Sequence, residues 1–500
     1  MNAVVSPLQI EAALSQRLRA VATCLLEEEA PAFDEHAARD AANMLDALVR
    51  AVRNAPSPAR IWLLCAAVSG SLPTRDAVVA GTRFFRLAPT IEATLWLLDC
   101  AIESSNNPRV AHMDLQIVCD GVLVHVDHSA RHDLHTGIQQ VVRQVYPLWA
   151  RDHDVVPVVW TRPAEAMRTL TSQELGRLFQ NKPDGSTQNA SFEPPALVVP
   201  LRSVVVLAEV PSPDACDRLA ALAEFSDNEV VAIGYDCIPA LSPEMMPVGE
   251  TNRFARYLPV IKHARRVASI GTTSTAEFRG FSSALCIQGL PGPVVSEVPL
   301  PVGRPTSDRD GGQRPSPGAG ALPLVLCVGT FEPRKNQMAV VYAAERLWRE
   351  GLTFELLFIG GAGWGESVPS AIDRLQRESR PVRAVLKVSS AELDEAYGRA
   401  RFTVFPSLHE GFGLPVAESM EHGTPVITSN LGSTGEIAKG GGAILIDPYD
   451  DEELVSAMRR LLTDDELLDQ LRRDILARTG RTWEDYASEV WDDIVVQGRD

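Results

Sequence analysis

Apolar residues recur three and four apart through residues 10–103, in EAALSQRLRAVATCLLEEE, HAARDAANMLDALVRAV and IEATLWLLDCAIE, a spacing that predicts helices. Proline and serine breaks at residues 55–58 and 104–108 separate helices and close the segment. Residues 1–108 therefore read as an all-helical N-terminal extension. Its simplest role is a cap packed on the next domain, with docking or oligomerisation as the alternative. From Leu115 the period changes. LQIVCDGVLVHVDH is one β-rich apolar run, followed by the helix in HTGIQQVVRQVYPLWA, starting after Gly137. DVVPVVW, a polar loop over residues 181–191, SVVVLAEV, a helix over residues 214–225, EVVAIGYDCIP, the helix RFARYLPVIKHARR and VASIGTTSTAEF continue the alternation. Ser274 or Thr275 is placed to cap the helix that follows. Strands alternating with helices imply a parallel sheet over residues 109–303.

Residues 304–320 are dense in Gly, Pro and charge and have no apolar period, the composition of a linker. A second alternating domain opens with LPLVLCVG and spans residues 321–480. The tail, residues 481–500, reads as a final helix carrying Trp483, Tyr486 and Trp491, aromatics expected to pack. The predicted fold class is α/β: two Rossmann-like domains facing a cleft, with an added N-terminal all-helical extension. Ligands of such domains bind at the carboxyl ends of the strands.

Five hundred residues exceed one ordinary core, in keeping with several domains. A net charge of -18 without a concentrated basic patch argues against a nucleic-acid partner. The start MNAVVSPLQIEAALSQRLR lacks a basic-then-apolar leader pattern, and the longest apolar runs, such as IWLLCAAV from Ile61, are too short to span a bilayer. A cytoplasmic protein is expected, with peripheral contact at the inner face of the membrane left open. The eight cysteines form no CxxC pair, and Cys119, Cys237 and Cys327 lie in apolar runs, as free buried thiols do.

Candidate chemistry concentrates in PSLHEGFGLPVAESMEHGTPVI, residues 406–427, which reads as strand end, glycine loop, short helix and next strand. Pro415 suits the first helical position and Gly423 the position past the end. Gly411 and Gly413 let a ligand approach the backbone at the positive end of the helix dipole, a cradle for phosphate. Glu410 enters from the loop and Glu418 from the helix. Two carboxylates beside a phosphate are costly unless hydroxyls occupy them, and a sugar nucleotide carries both groups. Arg334 and Lys335 follow the first strand of the second domain, where a cation pair can meet a diphosphate.

This Glu410-x7-Glu418 pattern around GFGLPVA resembles the donor site of retaining family-4 glycosyltransferases of the GT-B fold. GTFEPRKN (329–336), FIGGAGWG (358–365), VSSAELDEAYGRA (388–400), SNLGSTGEI (429–437) and IDPYD (446–450) follow in that family's order. The resemblance implies that Arg334 and Lys335 hold the diphosphate, Glu418 the ribose, and Glu410 the donor sugar or its anomeric carbon. The N–H groups of Phe412, Gly413 and Leu414 would take sugar and phosphate oxygens. Gly329 and Thr330 open the cation loop, while Gly360, Gly361 and Val388 stand where the family frames the base. Thr136 and Gly137 resemble the TGI-x-RVV loop of a mannosyltransferase-like branch, with Gln140 in place of its Arg. YDCIP resembles that branch's HD-x-IP, with Asp236 retained as a candidate catalytic residue and Tyr235 in place of His. The residues of Asp236 alone equally suit a strand-end cap. His128, His132 and His135 cluster nearby.

The implied activity is hexosyl transfer, mannose favoured, from a nucleoside diphosphate sugar, GDP-sugar ahead of UDP-sugar. The acceptor would be a glycan, lipid-linked or small-molecule hydroxyl in polysaccharide or glycoconjugate assembly. No metal and no cofactor are implied. A non-catalytic sugar-nucleotide sensor or partner subunit, and a GT-B epimerase, are the alternatives. Oligomeric state is open.

Overall fold

The computed structural model describes residues 7–26, 38–105, 110, 112–132, 137–179, 195–303 and 322–497. The 304–320 linker, the 181–191 loop, His135 and Thr136 lie outside the described residues.

The extension is helical as expected: α1 (Pro7–Leu25), α2 (Ala38–Asn54), α3 (Pro58–Ser69), α4 (Arg75–Leu87) and α5 (Thr90–Ser105). Helix α3 shows why its boundaries are sharp. Ser57 accepts from the Arg60 N–H, Pro58 fills the first turn, and Gly70 stops the helix at φ 67. Its residues 61–68 are all buried, so α3 is the centre of the helical layer. That layer has no core of its own. Leu18, Trp62 and Leu64 share one apolar cluster with Leu115, Val198 and Leu219 of the following domain. Gln16 finishes the contact by donating to the Leu115 carbonyl (3.0 Å) and accepting from its N–H (2.9 Å). The extension is therefore a cap on the first α/β domain.

The first sheet comprises β1 (Leu115–Cys119), β2 (Val122–His125), β3 (Val155–Trp160), β4 (Met167–Arg168), β5 (Leu197–Leu201), β6 (Val204–Leu207), β7 (Glu229–Gly234), β8 (Arg266–Ser269) and β9 (Val294–Glu297). Its order is β1-β5-β4-β3-β2-β6-β7-β8-β9, parallel except around β4. The run read as one strand from Leu115 is thus two, broken at Asp120–Gly121. Asp120 adopts φ 53, and Arg202 between β5 and β6 adopts φ 50. The two breaks lie side by side and are joined by the Arg202–Asp120 ion pair at 2.9 Å. An Asp-Gly pair is a turn signal, and here it outweighs the apolar continuity around it. Two further expectations are corrected. Ser274 and Thr275 do not cap: helix Thr272–Ile287 begins before them, and both hydroxyls donate back to the Gly271 carbonyl, at 3.0 and 2.8 Å. Cys119 is exposed, because it falls on the outward face of β1.

The second sheet, β10 (Leu324–Val328), β11 (Glu355–Ile359), β12 (Val382–Val385), β13 (Phe402–Phe405), β14 (Val426–Ser429) and β15 (Ala443–Ile446), is wholly parallel in the order β12-β11-β10-β13-β14-β15. Strand order reverses between β10 and β13. The loops leaving those two strands diverge there and open a crevice at their carboxyl ends. Helix Trp483–Trp491, opened by a Thr482–Asp485 capping box, packs on helix Gly137–Asp152 of the first domain. Trp149 Nε1 donates to the Ala487 carbonyl at 2.8 Å, and Tyr486 is fully buried. Among the described residues no helix is long and apolar enough to cross a membrane.

Candidate active site

The loops after β10 and β13 supply the site's charges. Gly329 ends β10 at φ 143, and a Cβ on Gly360 would lie 2.1 Å from its carbonyl oxygen. Close approach of the two loops is what requires glycine at 360. Phe331 N–H then donates to the Gly361 carbonyl (3.1 Å), and Gln337 Nε2 to the carbonyls of Gly329 (3.0 Å) and Thr330 (3.1 Å). Gly329, Thr330, Gly360 and Gly361 thus form one packed wall. Beyond it a 3-10 turn, Pro333–Lys335, presents the two cations. The β13 loop is tied to this turn: Leu408 N–H (2.7 Å) and Ser407 Oγ (3.0 Å) both donate to the Arg334 carbonyl.

Glu410 is thereby placed between both cations. Arg334 Nη1 donates to its Oε2 at 2.9 Å, Lys335 Nζ to its Oε1, and Ser407 Oγ to Oε1 at 2.6 Å. Arg334 Nε also faces Glu332 at 2.7 Å, and Lys335 Nζ lies 4.9 Å from the centre of the Phe405 ring. Burial works against ionisation of Glu410, but Arg334, Lys335 and Ser407 outweigh it and hold the carboxyl down at about 2. Burial likewise pulls Lys335 below its ordinary value, against the opposing charge of Glu410. Sequence reasoning assigned Glu410 and the cations to different parts of a donor. Here they are one ion cluster, with Glu410 as the counter-ion of both.

Gly413, at φ 106 and with Thr434 Cγ2 2.7 Å from where a Cβ would stand, starts helix Leu414–Glu421. The N–H groups of Phe412, Gly413 and Leu414 donate to no other group among the described residues. They are open donors at a helix start. Glu418 is half-buried behind them. Its Oε2 accepts from Tyr397 Oη at 2.8 Å and its Oε1 from Gln140 Nε2 at 3.4 Å, and burial pushes its carboxyl up. Tyr397 comes from helix Ser390–Arg399, which Ser389 and Glu392 begin with a capping box next to the half-buried Val388. Gln140 therefore bonds across the cleft.

The first domain closes the other wall. Asp236 follows β7, is half-buried, and accepts from the Ile238 N–H at 3.1 Å, a turn cap. Burial raises its carboxyl to about 6, against the Ile238 bond and the charge of Arg334. A Cβ on Gly411 would stand 2.9 Å from Asp236 Oδ2 and from the Tyr235 carbonyl oxygen. Gly137 comes equally near, its Cβ position 3.2 Å from Leu414 Cδ1. Tyr235 turns its hydroxyl inward and donates to the Ala208 carbonyl at 2.6 Å. The His128 and His132 rings lie 4.7 Å apart, tilted by 42°, with His128 held by Gln139.

A cross-cleft contact absent from the sequence reading is His409, whose Nε2 meets Glu277 Oε1 and whose Nδ1 meets Ser242 Oγ, both at 2.8 Å. The bond to Glu277 raises the imidazole above its ordinary value, against the effect of burial. A raised folded-state value stabilises the closed form at acid pH, and this contribution is lost as pH rises through it. The melting-midpoint advantage of the native chain over His409→Gln is expected to be full below the ordinary imidazole value and to shrink over the pH window above it. A constant advantage across that window would argue against a charged His409–Glu277 pair.

Residues 313–476 match the family described as Glycosyl transferases group 1. This part of the chain is a group 1 glycosyltransferase domain. A longer stretch is 26% identical over 334 residues to the serotype-specific mannosyltransferase WbdA of Escherichia coli, covering 64% of this chain and 40% of that protein. The O-antigen chain mannosyltransferase B of Escherichia coli is 35% identical over 142 residues, 28% of this chain and 37% of that one. The match thus spans about two fifths of these relatives. Among solved structures, WaaG, a glycosyltransferase involved in lipopolysaccharide biosynthesis, superposes with a TM-score of 0.50 at 15% identity, covering 75% of this chain and 100% of that one. The Anabaena protein HepE, in complex with UDP and glucose, gives 0.53 at 13% identity, covering 75% and 99%. At such identities the likeness concerns the fold, which is GT-B with an added N-terminal helical region. Arg334, Lys335, Glu410 and Glu418 lie inside the glycosyltransferase domain, whereas Gly137, Gln140 and Asp236 face it from the first domain.

Proposed function

We propose that the chain is a retaining, metal-independent glycosyltransferase that moves a hexose from a nucleoside diphosphate sugar to a hydroxyl acceptor. The observation that carries this reading is the Arg334–Lys335–Glu410 cluster at the switch point of the second sheet, beside three open N–H donors and the half-buried Glu418. Breaking the anomeric bond places negative charge on the departing diphosphate. Arg334 and Lys335 stand where they would stabilise it, a role that a metal ion fills elsewhere. Glu410 holds both cations in position until phosphate oxygens compete for them. No side chain is assigned as a covalent nucleophile, so the acceptor hydroxyl attacks from the face the diphosphate leaves, and a phosphate oxygen takes its proton. The contacts of His409, Gln140 and Gly411 across the cleft keep water out, which matters because hydrolysis is the competing reaction.

GDP-mannose is the favoured donor, UDP-sugars ranking second, supported by the branch resemblance around Gly137 and Asp236 and by the names of the two Escherichia coli relatives. The acceptor is a growing glycan, lipid-linked or small-molecule hydroxyl, met in the cytoplasm or at the inner face of the membrane. A non-catalytic sugar-nucleotide sensor is the second reading, and the inward-turned Tyr235 hydroxyl favours it. Thermal-shift titration with GDP, UDP, ADP and dTDP tests the donor site, since a ligand of the folded state raises the midpoint. A base-selective shift that Glu418→Ala abolishes is expected. A shift of equal size in Glu418→Ala would remove that residue from the site.

A further inference from the structure

The first domain holds a cavity of about 400 Å³ whose lining includes Arg131, Arg162, Arg168 and Arg177, with Glu174 the one carboxylate among the lining residues. Such a lining is unexpected in a chain of net charge -18. Two of the four guanidiniums are matched: Arg168 grips Glu174 with two bonds of 2.8 and 2.7 Å, and Arg131 Nε lies 3.0 Å from Asp127. The other two are not. Arg177 donates to the Ala130 carbonyl at 3.0 Å, and neither it nor Arg162 has an ion-pair partner among the described residues. Gathering four guanidiniums against two carboxylates leaves an excess of two positive charges around one concave surface. Mutual repulsion disfavours that arrangement unless an anion shares it. Burial and the charges of Arg168 and Arg162 already pull Arg131 below its ordinary value.

The cavity's place in the fold narrows its purpose. Arg131 ends the short helix Asp127–Arg131 that leaves the carboxyl end of β2, and Asp127 Oδ1 accepts from the Trp160 N–H (2.7 Å) at the carboxyl end of β3. This is the edge of the sheet that faces ligands in open α/β domains. Gly137, which comes close to Leu414 of the donor cradle, is six chain steps from Arg131, so the two positions are at most roughly 22 Å apart. Planar guanidinium forks match phosphate oxygens in pairs.

We propose that this pocket is a second oxyanion site, separate from the donor cradle, which binds a phosphate group carried by the acceptor. The assignment of that phosphate to an acceptor rests on the transferase reading above; the oxyanion site itself does not. Arg162 is exposed and Arg177 half-buried, so replacing both leaves the core intact.

Calorimetric titration of the full chain with inorganic pyrophosphate reads the site directly. The native chain is expected to show two sites, the cradle and the pocket, and the Arg162→Gln/Arg177→Gln double variant one, the pocket weakened about tenfold or more. An equal number of sites with equal affinities in both proteins, or no binding by the native chain, overturns the proposal. Co-sedimentation with phosphatidylcholine vesicles, with and without phosphatidic acid, separates the sources. Binding that needs phosphatidic acid and fails in the double variant assigns a lipid-borne phosphate. Loss of the pyrophosphate site with no vesicle binding assigns a soluble phosphorylated acceptor. If nucleotides give no shift while the double variant still loses its site, the transferase reading fails and the oxyanion site stands.

Discussion

Lys335→Ala is expected to lower transfer about 10²- to 10³-fold, the loss typical of removing one preorganised charge from a developing anion. Lys335 Nζ is largely enclosed, shares Glu410 with Arg334 and lies against the Phe405 ring, so the site holds its charge in one place. Removing it leaves Glu410 held by Arg334 at 2.9 Å and Ser407 at 2.6 Å, so the carboxylate keeps a cation and the loss of stability stays below that of stranding a buried charge. Lys335→Met keeps the stem that packs on Phe405 and separates the two effects. Turnover should fall as far in Lys335→Met as in Lys335→Ala, because both lack the charge that the leaving diphosphate needs. In steady-state kinetics the loss should appear in kcat as well as in kcat/KM. A rise in KM alone would show that Lys335 binds ground and transition states equally and does not assist the departing group.

Gly411→Ala is the second large effect, and it acts through closure. The added methyl would stand 2.9 Å from Asp236 Oδ2 and from the Tyr235 carbonyl, and one of these is backbone that cannot swing aside. The domains must then part by a few tenths of an ångström or more at the point where Glu410 begins the donor loop. A displacement of about 1 Å between reacting groups costs on the order of 10²-fold in rate. The same opening admits water, so the surviving turnover should shift from transfer towards hydrolysis of the donor. The large clusters remote from the cleft are untouched, so the melting midpoint should fall only as far as the cluster shared by Tyr235, Phe412 and Val416 is loosened. A variant with native turnover and an unchanged ratio of transfer to hydrolysis would mean that the cleft works in a more open form.

The second sheet was readable from the chain because its central strands β10, β13 and β14 are short, almost wholly buried runs of parallel sheet, whereas the edge strands β12 and β15 are partly exposed. Its functional loops were readable for the same local reason. Glu410, Gly413, Pro415 and Glu418 sit within nine residues, so spacing alone places them on one loop and one helix. The break at Asp120 was hidden by apolar residues on both sides, although Asp-Gly is a turn signal. The capping of helix Thr272–Ile287 was misassigned because hydroxyls can donate back to a carbonyl as well as accept from the first N–H groups. Tyr397 on Glu418, and Glu277 with Ser242 on His409, had no sequence signal. They lie 21, 132 and 167 residues from their partners: the fold of the second domain brings Tyr397 to Glu418, and the packing of two domains brings Glu277 and Ser242 to His409. The arginine pocket is a similar case, since its four cations come from three separate segments.

The most direct measurement of the central claim is release of nucleoside diphosphate from GDP-mannose and a panel of other nucleotide sugars by the native chain, with anomeric configuration read in the product. The expected result is release with one preferred donor, GDP-mannose first, dependent on Lys335 and yielding a product that keeps the donor's anomeric configuration. Nucleotide binding without release from any donor would contradict the transferase reading and leave a sugar-nucleotide sensor.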